Sequence, residues 1–286
     1  MAWLDRMAVA NLQARGVKRR KVRTKLGYVH VLDAPGLGTH GTVVLLHGLS
    51  SQAADYSPLL QRLRRKYRRV IAPDMPGHGA SLLPDRPVHA REMAMALAEA
   101  LGQVVDEPAM IVGNSLGGMA SIRLATDAAE LVKGLVLVCP GGAPMDSVAL
   151  RDFLRVFDVA DRVASDAFID RFAARPPRHK AIMSWGVRVR FSSPDVRRVL
   201  SMVTPQTLLS ASEVASLTVP TLCLWGPEDQ VLPASHRAFF RENLPDHAVF
   251  EEPDGYGHAP FMDRPDHLAD RIHEWGHQLW GQGDRG

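Results

Sequence analysis

The chemistry-bearing core of this chain is Gly113-Asn114-Ser115-Leu116-Gly117, which fits G-x-S-x-G. A serine hydroxyl attacks a carbonyl carbon once a base takes its proton. The motif works by setting that serine on a sharp turn between a strand and a helix, which exposes the hydroxyl. The apolar run Ala109 to Val112 predicts the strand, and Leu116 to Asp127 predicts the helix. Glycines on either side leave room for the turn. The helix N-terminus offers unpaired N–H groups to a developing negative charge.

A base and an acid are needed next. His258 lies late in the chain in the glycine-rich loop Asp254-Gly255-Tyr256-Gly257-His258-Ala259-Pro260, ahead of the last helix. An imidazole there serves as the base, and a carboxylate must fix its tautomer. Asp229 follows the apolar run Thr221 to Trp225, at the strand end where open α/β sheets build their sites, with Glu228 as its immediate rival. His47-Gly48-Leu49-Ser50-Ser51 follows the run Thr42 to Leu46 and predicts an oxyanion loop. Its Leu49 N–H and the Leu116 N–H would hold the oxyanion, while His47 packs beneath the loop.

These residues need a scaffold. Apolar β-rich runs (Thr42 to Leu46, Val70 to Ala72, Ala109 to Val112, Gly134 to Val138, Thr221 to Trp225) alternate with helical stretches at Ala54 to Tyr67, His89 to Val105, Leu116 to Asp127 and Ala234 to Asn243. That alternation predicts an α/β fold with a mostly parallel central sheet covered on both faces. Lys25 to Asp33 predicts an edge strand or hairpin, and about Pro265 to Trp280 the last helix. Residues 25–143 and 213–286 form the predicted core. Residues 144–212, rich in arginine and large apolar side chains, predict an inserted helical lid, and residues 1–24 a basic N-terminal segment.

The blocks His47-Gly48-Leu49, Asp74-Met75-Pro76-Gly77-His78-Gly79-Ala80-Ser81, Gly113 to Gly117, Trp225 to Pro233 and Gly257-His258-Ala259-Pro260 together resemble the α/β-hydrolase fold family, from about Lys25 to Trp280. The order serine, acid, histidine is that of the family. The resemblance implies a serine hydrolase with Ser115, Asp229 and His258 as its triad and no metal or organic cofactor. Asp263 stands where the family commonly has glutamate near the histidine block. The run Val136-Leu137-Val138-Cys139-Pro140 and the serine nucleophile resemble the monoacylglycerol lipase and carboxylesterase branch, which implies an ester substrate with an apolar acyl or aryl part. Haloalkane dehalogenases and epoxide hydrolases carry aspartate in place of Ser115. Gly113-Asn114-Ser115 followed by Gly117-Gly118 also resembles the carbon–carbon hydrolases of aromatic meta-cleavage. Leu49-Ser50-Ser51 and Ala259 depart from that pattern. A non-catalytic binding protein on the same fold is a further alternative, though such proteins typically lose a triad member and this chain retains all three.

Two other motifs fail on context. Gly36-Leu37-Gly38-Thr39-His40-Gly41 matches a dinucleotide fingerprint, but a strand follows it where a helix is required. His273-Glu274-Trp275-Gly276-His277 matches a zinc motif but lacks an evident third ligand.

The 286 residues are 46% hydrophobic and 23% charged, which excludes global disorder. Cys139 and Cys223 sit in apolar runs and predict reduced, buried thiols. Met1 to Gly16 lacks a signal peptide's apolar core, which predicts a cytoplasmic protein. The net charge of +3 conceals polarity: residues 1–27 carry +7, residues 144–212 carry +4 and residues 213–286 carry −8. This gives no reason to invoke nucleic acid. Trp3, Leu4, Met7, Ala8 and Leu12 space like one helix face beside Lys18-Arg19-Arg20-Lys21. That pairing allows weak contact with an anionic membrane surface, against a helix packed on the body.

Overall fold

The computed structural model describes residues 3–281 except 176 and 178; the side chains of Trp3 and Leu4 lie outside the described ones. Eight strands form one sheet: β1 (Lys18–Thr24), β2 (Gly27–Pro35), β3 (His40–Leu46), β4 (Tyr67–Pro73), β5 (Ala109–Ser115), β6 (Val132–Pro140), β7 (Thr221–Leu224) and β8 (Val249–Glu251). Their order is β1-β2-β4-β3-β5-β6-β7-β8. The pairs β1–β2 and β2–β4 are antiparallel and all others parallel. The central strands are apolar along their length because helices cover both faces.

Helices α1 (Trp3–Ala14), α2 (Ser57–Leu63), α11 (Pro260–Asp263) and α12 (Pro265–Gly281) contribute to the core on one face. Helices α3 (Ala90–Val104), α4 (Leu116–Asp127), α9 (Ala211–Ala215) and α10 (Ala234–Asn243) contribute to the other. Between β6 and β7 the chain forms α5 (Ser147–Leu154), α6 (Arg162–Phe172), α7 (Lys180–Phe191), α8 (Pro194–Ser201) and then α9. This helical insertion has an aromatic core of its own, in which Phe168 stacks on Phe172 and meets Phe191 edge-on.

Two expectations change at the N-terminus. Residues 18–24 are a strand of the sheet rather than part of a separate segment, and they pair with β2 along their whole length. That edge of the sheet is therefore β1, and of the two readings of Lys25 to Asp33 the hairpin holds, with β2 as its inner arm. The sequence hides this because four successive charged side chains, Lys18 to Lys21, all lie exposed. Three of the four have partners: Arg20 pairs with Asp33, Arg19 reaches His30, and Lys21 caps the Tyr28 ring at 3.9 Å. In α1, Val9 and Leu12 are buried in the core of the body. The Gly36 to Gly41 run is the tight β2–β3 connection, where a side chain at Gly36 would collide with the Tyr67 carbonyl.

Candidate active site

The carboxyl ends of β3, β5, β7 and β8 converge on one point. The register of β5 against β6 shifts between Asn114 and Ser115, where the strand gives way to α4. Ser115 sits there with φ 55° and ψ −117°, a region L-residues avoid. Neighbouring backbone enforces the turn. A Cβ at Gly117 would lie 2.1 Å from the Leu46 carbonyl oxygen, and one at Gly113 2.3 Å from the Gly117 carbonyl oxygen. Only glycine allows these approaches.

Asp229 and His258 meet across the loops after β7 and β8. His258 Nδ1 and Asp229 Oδ2 are 2.8 Å apart, with both side chains buried. The other carboxylate oxygen, Oδ1, accepts the Val231 and Leu232 N–H groups at 2.8 and 3.1 Å. Burial would raise the Asp229 pKa. The facing imidazole and these N–H groups outweigh burial and hold the carboxyl below its ordinary value. Glu228 is turned away and accepts the Gly255 N–H instead.

Ser115, Leu49 and His258 line one cavity. Among the described residues the Ser115 hydroxyl has no hydrogen-bond partner; contacts of this kind often tighten only around substrate. The Leu49 and Leu116 amides likewise have no acceptor among the described residues. Gly48 lies against the serine, its would-be Cβ 3.3 Å from Ser115 Cβ. Ser50, at φ 61°, turns the loop, and the Ser51 N–H closes it on the Gly48 carbonyl at 3.2 Å. Leu49, in the loop against Ser115, and Leu116, next to it in the chain, thus each keep an N–H without an acceptor among the described residues.

His47 is fully buried beneath this loop. Its Nε2 accepts the Met75 N–H at 2.9 Å, so Nδ1 carries the proton and donates to the Gly48 carbonyl at 2.8 Å. Burial pushes its pKa down to about 4. Burial likewise takes His78 to about 3 and His236 to about 4. All three are neutral in the folded state, whereas an unfolded histidine protonates near pH 6.5. Between 6.5 and about 4 the unfolded chain binds more protons, so stability falls as pH falls through that window. These groups together should cost on the order of 5 kcal/mol by pH 5. Urea midpoints measured from pH 8 to pH 5 test this; a flat profile below pH 6.5 would contradict it.

Several positioning residues carried no sequence signal as site residues. Asn114 donates to the Val138 carbonyl at 3.0 Å and to the His258 carbonyl at 2.9 Å, and accepts the Tyr56 hydroxyl at 3.2 Å. It therefore ties the serine turn to the histidine loop. Asn114→Ala would strand three buried polar groups and should cost about 3 kcal/mol in urea denaturation, with a fall in kcat. Cys139, at φ 41°, accepts the Gly226 N–H through Sγ at 3.2 Å and donates to the Gly257 carbonyl at 3.5 Å. It thus sits between the acid loop and the histidine loop. Asp263 accepts the Gly257 and Ala174 N–H groups, both at 3.0 Å, anchoring the histidine loop to the insertion. Arg190 of α7 forks onto Asp55 and reaches Asp5 of α1 at 2.8 Å. Asp55 in turn holds Ser51 of the 48–51 loop at 2.8 Å.

Among the described residues, one group of histidine, cysteine and acidic side chains is gathered closely enough to share a metal ion: Cys139, Asp229 and His258, with ligand atoms within 4.8 Å of one another. Burial, reinforced by the Asp229 charge, drives the thiol pKa well up, and Asp229 and His258 are already paired with each other. His273 and His277 contact His40, ring centroids 5.3 and 5.6 Å apart, but these three do not form such a group.

A family model described as the alpha/beta hydrolase family matches residues 43–271. The chain belongs to the alpha/beta hydrolase family. The pimeloyl-[acyl-carrier protein] methyl ester esterase of Xanthomonas campestris is 27% identical, over 82% of this chain and 95% of that protein. Haloalkane dehalogenase 2 of Mycobacterium tuberculosis is 26% identical, over 87% and 91%. Among solved structures, the 2-hydroxy-6-oxo-6-phenylhexa-2,4-dienoate hydrolase from Rhodococcus is 25% identical with a TM-score of 0.75, covering 91% of this chain and 98% of that one. Within this alpha/beta hydrolase the structure brings Ser115, Asp229, His258, Leu49 and Leu116 together at the family's sheet end. No helix among the described residues is long and apolar enough to cross a membrane.

Proposed function

We propose that this alpha/beta hydrolase cleaves carboxylic esters through an acyl-enzyme on Ser115. The observation that carries the reading is the buried His258–Asp229 pair, 2.8 Å apart, facing the cavity that holds the strained Ser115. In this reading His258 Nε2 takes the Ser115 proton as Oγ attacks the ester carbonyl. The Leu49 and Leu116 amides hold the oxyanion. His258 then protonates the leaving alcohol, the acyl-enzyme forms, and water repeats the sequence to release the acid.

The residue at the turn argues against dehalogenation. Displacing a halide needs a carboxylate, which forms an alkyl ester that water can cleave; a serine would form an inert ether. Carbon–carbon hydrolysis is the second reading, favoured by the likeness to the Rhodococcus enzyme. Its acidic dienoate substrate would need a free cation. Arg190, the arginine lining the cavity beside His258, is committed to Asp55 and Asp5, which favours an uncharged ester.

The test is turnover of p-nitrophenyl esters together with labelling of Ser115 by a fluorophosphonate. Labelling abolished by Ser115→Ala supports the reading. Turnover of a vinylogous diketone without turnover of any ester would replace it with the second. The apolar insertion above Ser115 supports a lid role. Leu12 of α1 packs into the body, which leaves only the exposed basic residues of β1 to support weak contact with anionic membranes, tested by salt-dependent liposome co-sedimentation.

A further inference from the structure

Ser115 stands at the junction of two mainly apolar cavities that differ in their polar groups. One, of about 480 Å³, has Phe168, Phe172 and Trp185 in its wall together with His258, Asp55 and Arg190. The other, of about 160 Å³, runs between α3, α4 and the insertion, with Met75, Met93, Met119, Met145, Met202 and Phe153 in its wall. Ser115, Leu49 and Phe157 belong to both, whereas His258 lines only the larger. Methionine side chains adapt to flexible apolar guests.

The two sides of an ester are not equivalent at such a junction. The leaving oxygen must take its proton from His258, so the alcohol lies in the cavity His258 lines, and the acyl chain is left the other. We infer that the smaller cavity is an acyl-chain subsite for an uncharged, medium-length acyl group of about six to eight carbons. The size follows from comparison: a dry apolar cavity of about 150 Å³ holds a benzene ring.

The lack of charge follows from the wall. Arg123 is engaged with the Thr207 carbonyl at 2.8 Å and stands 3.7 Å from Glu213. His78 and His236 are held neutral by burial. None offers a free cation to an anionic chain end. This inference rests on the ester-hydrolase reading and names its substrate class.

The experiment is a kcat/KM series over p-nitrophenyl esters from acetyl to dodecanoyl. Each methylene that enters an apolar wall should raise kcat/KM about fourfold, up to about six to eight carbons, after which the rate falls. Ala94→Phe, on the α3 wall of the smaller cavity, should lower the octanoyl-to-acetyl ratio about tenfold. The ratio is internal to each protein, so a partly unfolded variant does not mimic the effect. Gly186→Phe, on the larger cavity where a side chain meets open space, should instead reorder a set of octanoate esters differing in alcohol. Ser115-dependent turnover with a flat or acetyl-favouring profile would overturn the subsite and leave the esterase reading standing. So would an acyl profile shifted by Gly186→Phe and not by Ala94→Phe. The absence of any Ser115-dependent ester turnover would overturn both.

Discussion

Ser115→Ala should lower kcat for p-nitrophenyl esters by on the order of 10⁴-fold or more, because nucleophile, base and acid act as a unit. The free amides of Leu49 and Leu116 remain, so a small rate above water survives through oxyanion stabilisation. The turn itself should behave differently. Ser115 is held at φ 55°, which costs on the order of 1–3 kcal/mol for a residue with a side chain. Ser115→Gly, which removes that strain along with the hydroxyl, should be inactive yet more stable by about 1 kcal/mol in urea. An active Ser115→Ala variant would refute the nucleophile. A Ser115→Gly variant less stable than the parent would refute the stored strain.

Asp229→Asn should lower kcat by about 10³–10⁴-fold with little change in fold. The physical reason is the direction of the proton. Oδ1 of Asp229 already accepts two N–H groups, from Val231 and Leu232. An asparagine keeps those contacts only by placing its carbonyl oxygen there, which points its NH₂ at His258 Nδ1. The imidazole must then hold its proton on Nε2, the atom that should receive the Ser115 proton. A pH–rate profile and the crystallographic orientation of the amide check this. Near-normal kcat in Asp229→Asn would remove Asp229 from the mechanism.

The residues with chemistry to offer were legible because each carries a local signature. Gly113 to Gly117 reads as strand, turn and helix within a few residues, and Asp229 and His258 each follow a recognisable strand end or glycine-rich loop. Asn114 reads only as the variable position of its motif. Its three hydrogen bonds reach partners 24, 58 and 144 residues away, so nothing nearby in the chain marks it. Cys139 reads correctly as a buried thiol, but its bridge between the acid and histidine loops depends on how β6 and β7 lie side by side. Strand β1 was obscured for another reason. An edge strand whose first half has both faces in water tolerates Lys18-Arg19-Arg20-Lys21, where no apolar alternation reveals it.

The sequence by itself determined the family, the parallel sheet, the helical insertion and the residue types at the sheet end. Those follow from hydrophobic period and turn chemistry, which act over a few residues. Only the tertiary structure decided that Asp229, rather than Glu228, meets His258. It alone placed Arg190 between α1 and the 48–51 loop, and opened two mainly apolar cavities that share Ser115, with His258, Asp55 and Arg190 in the wall of only one. These depend on which strands are neighbours and how far the insertion folds back over them, and such long-range packing leaves no periodic trace in the chain.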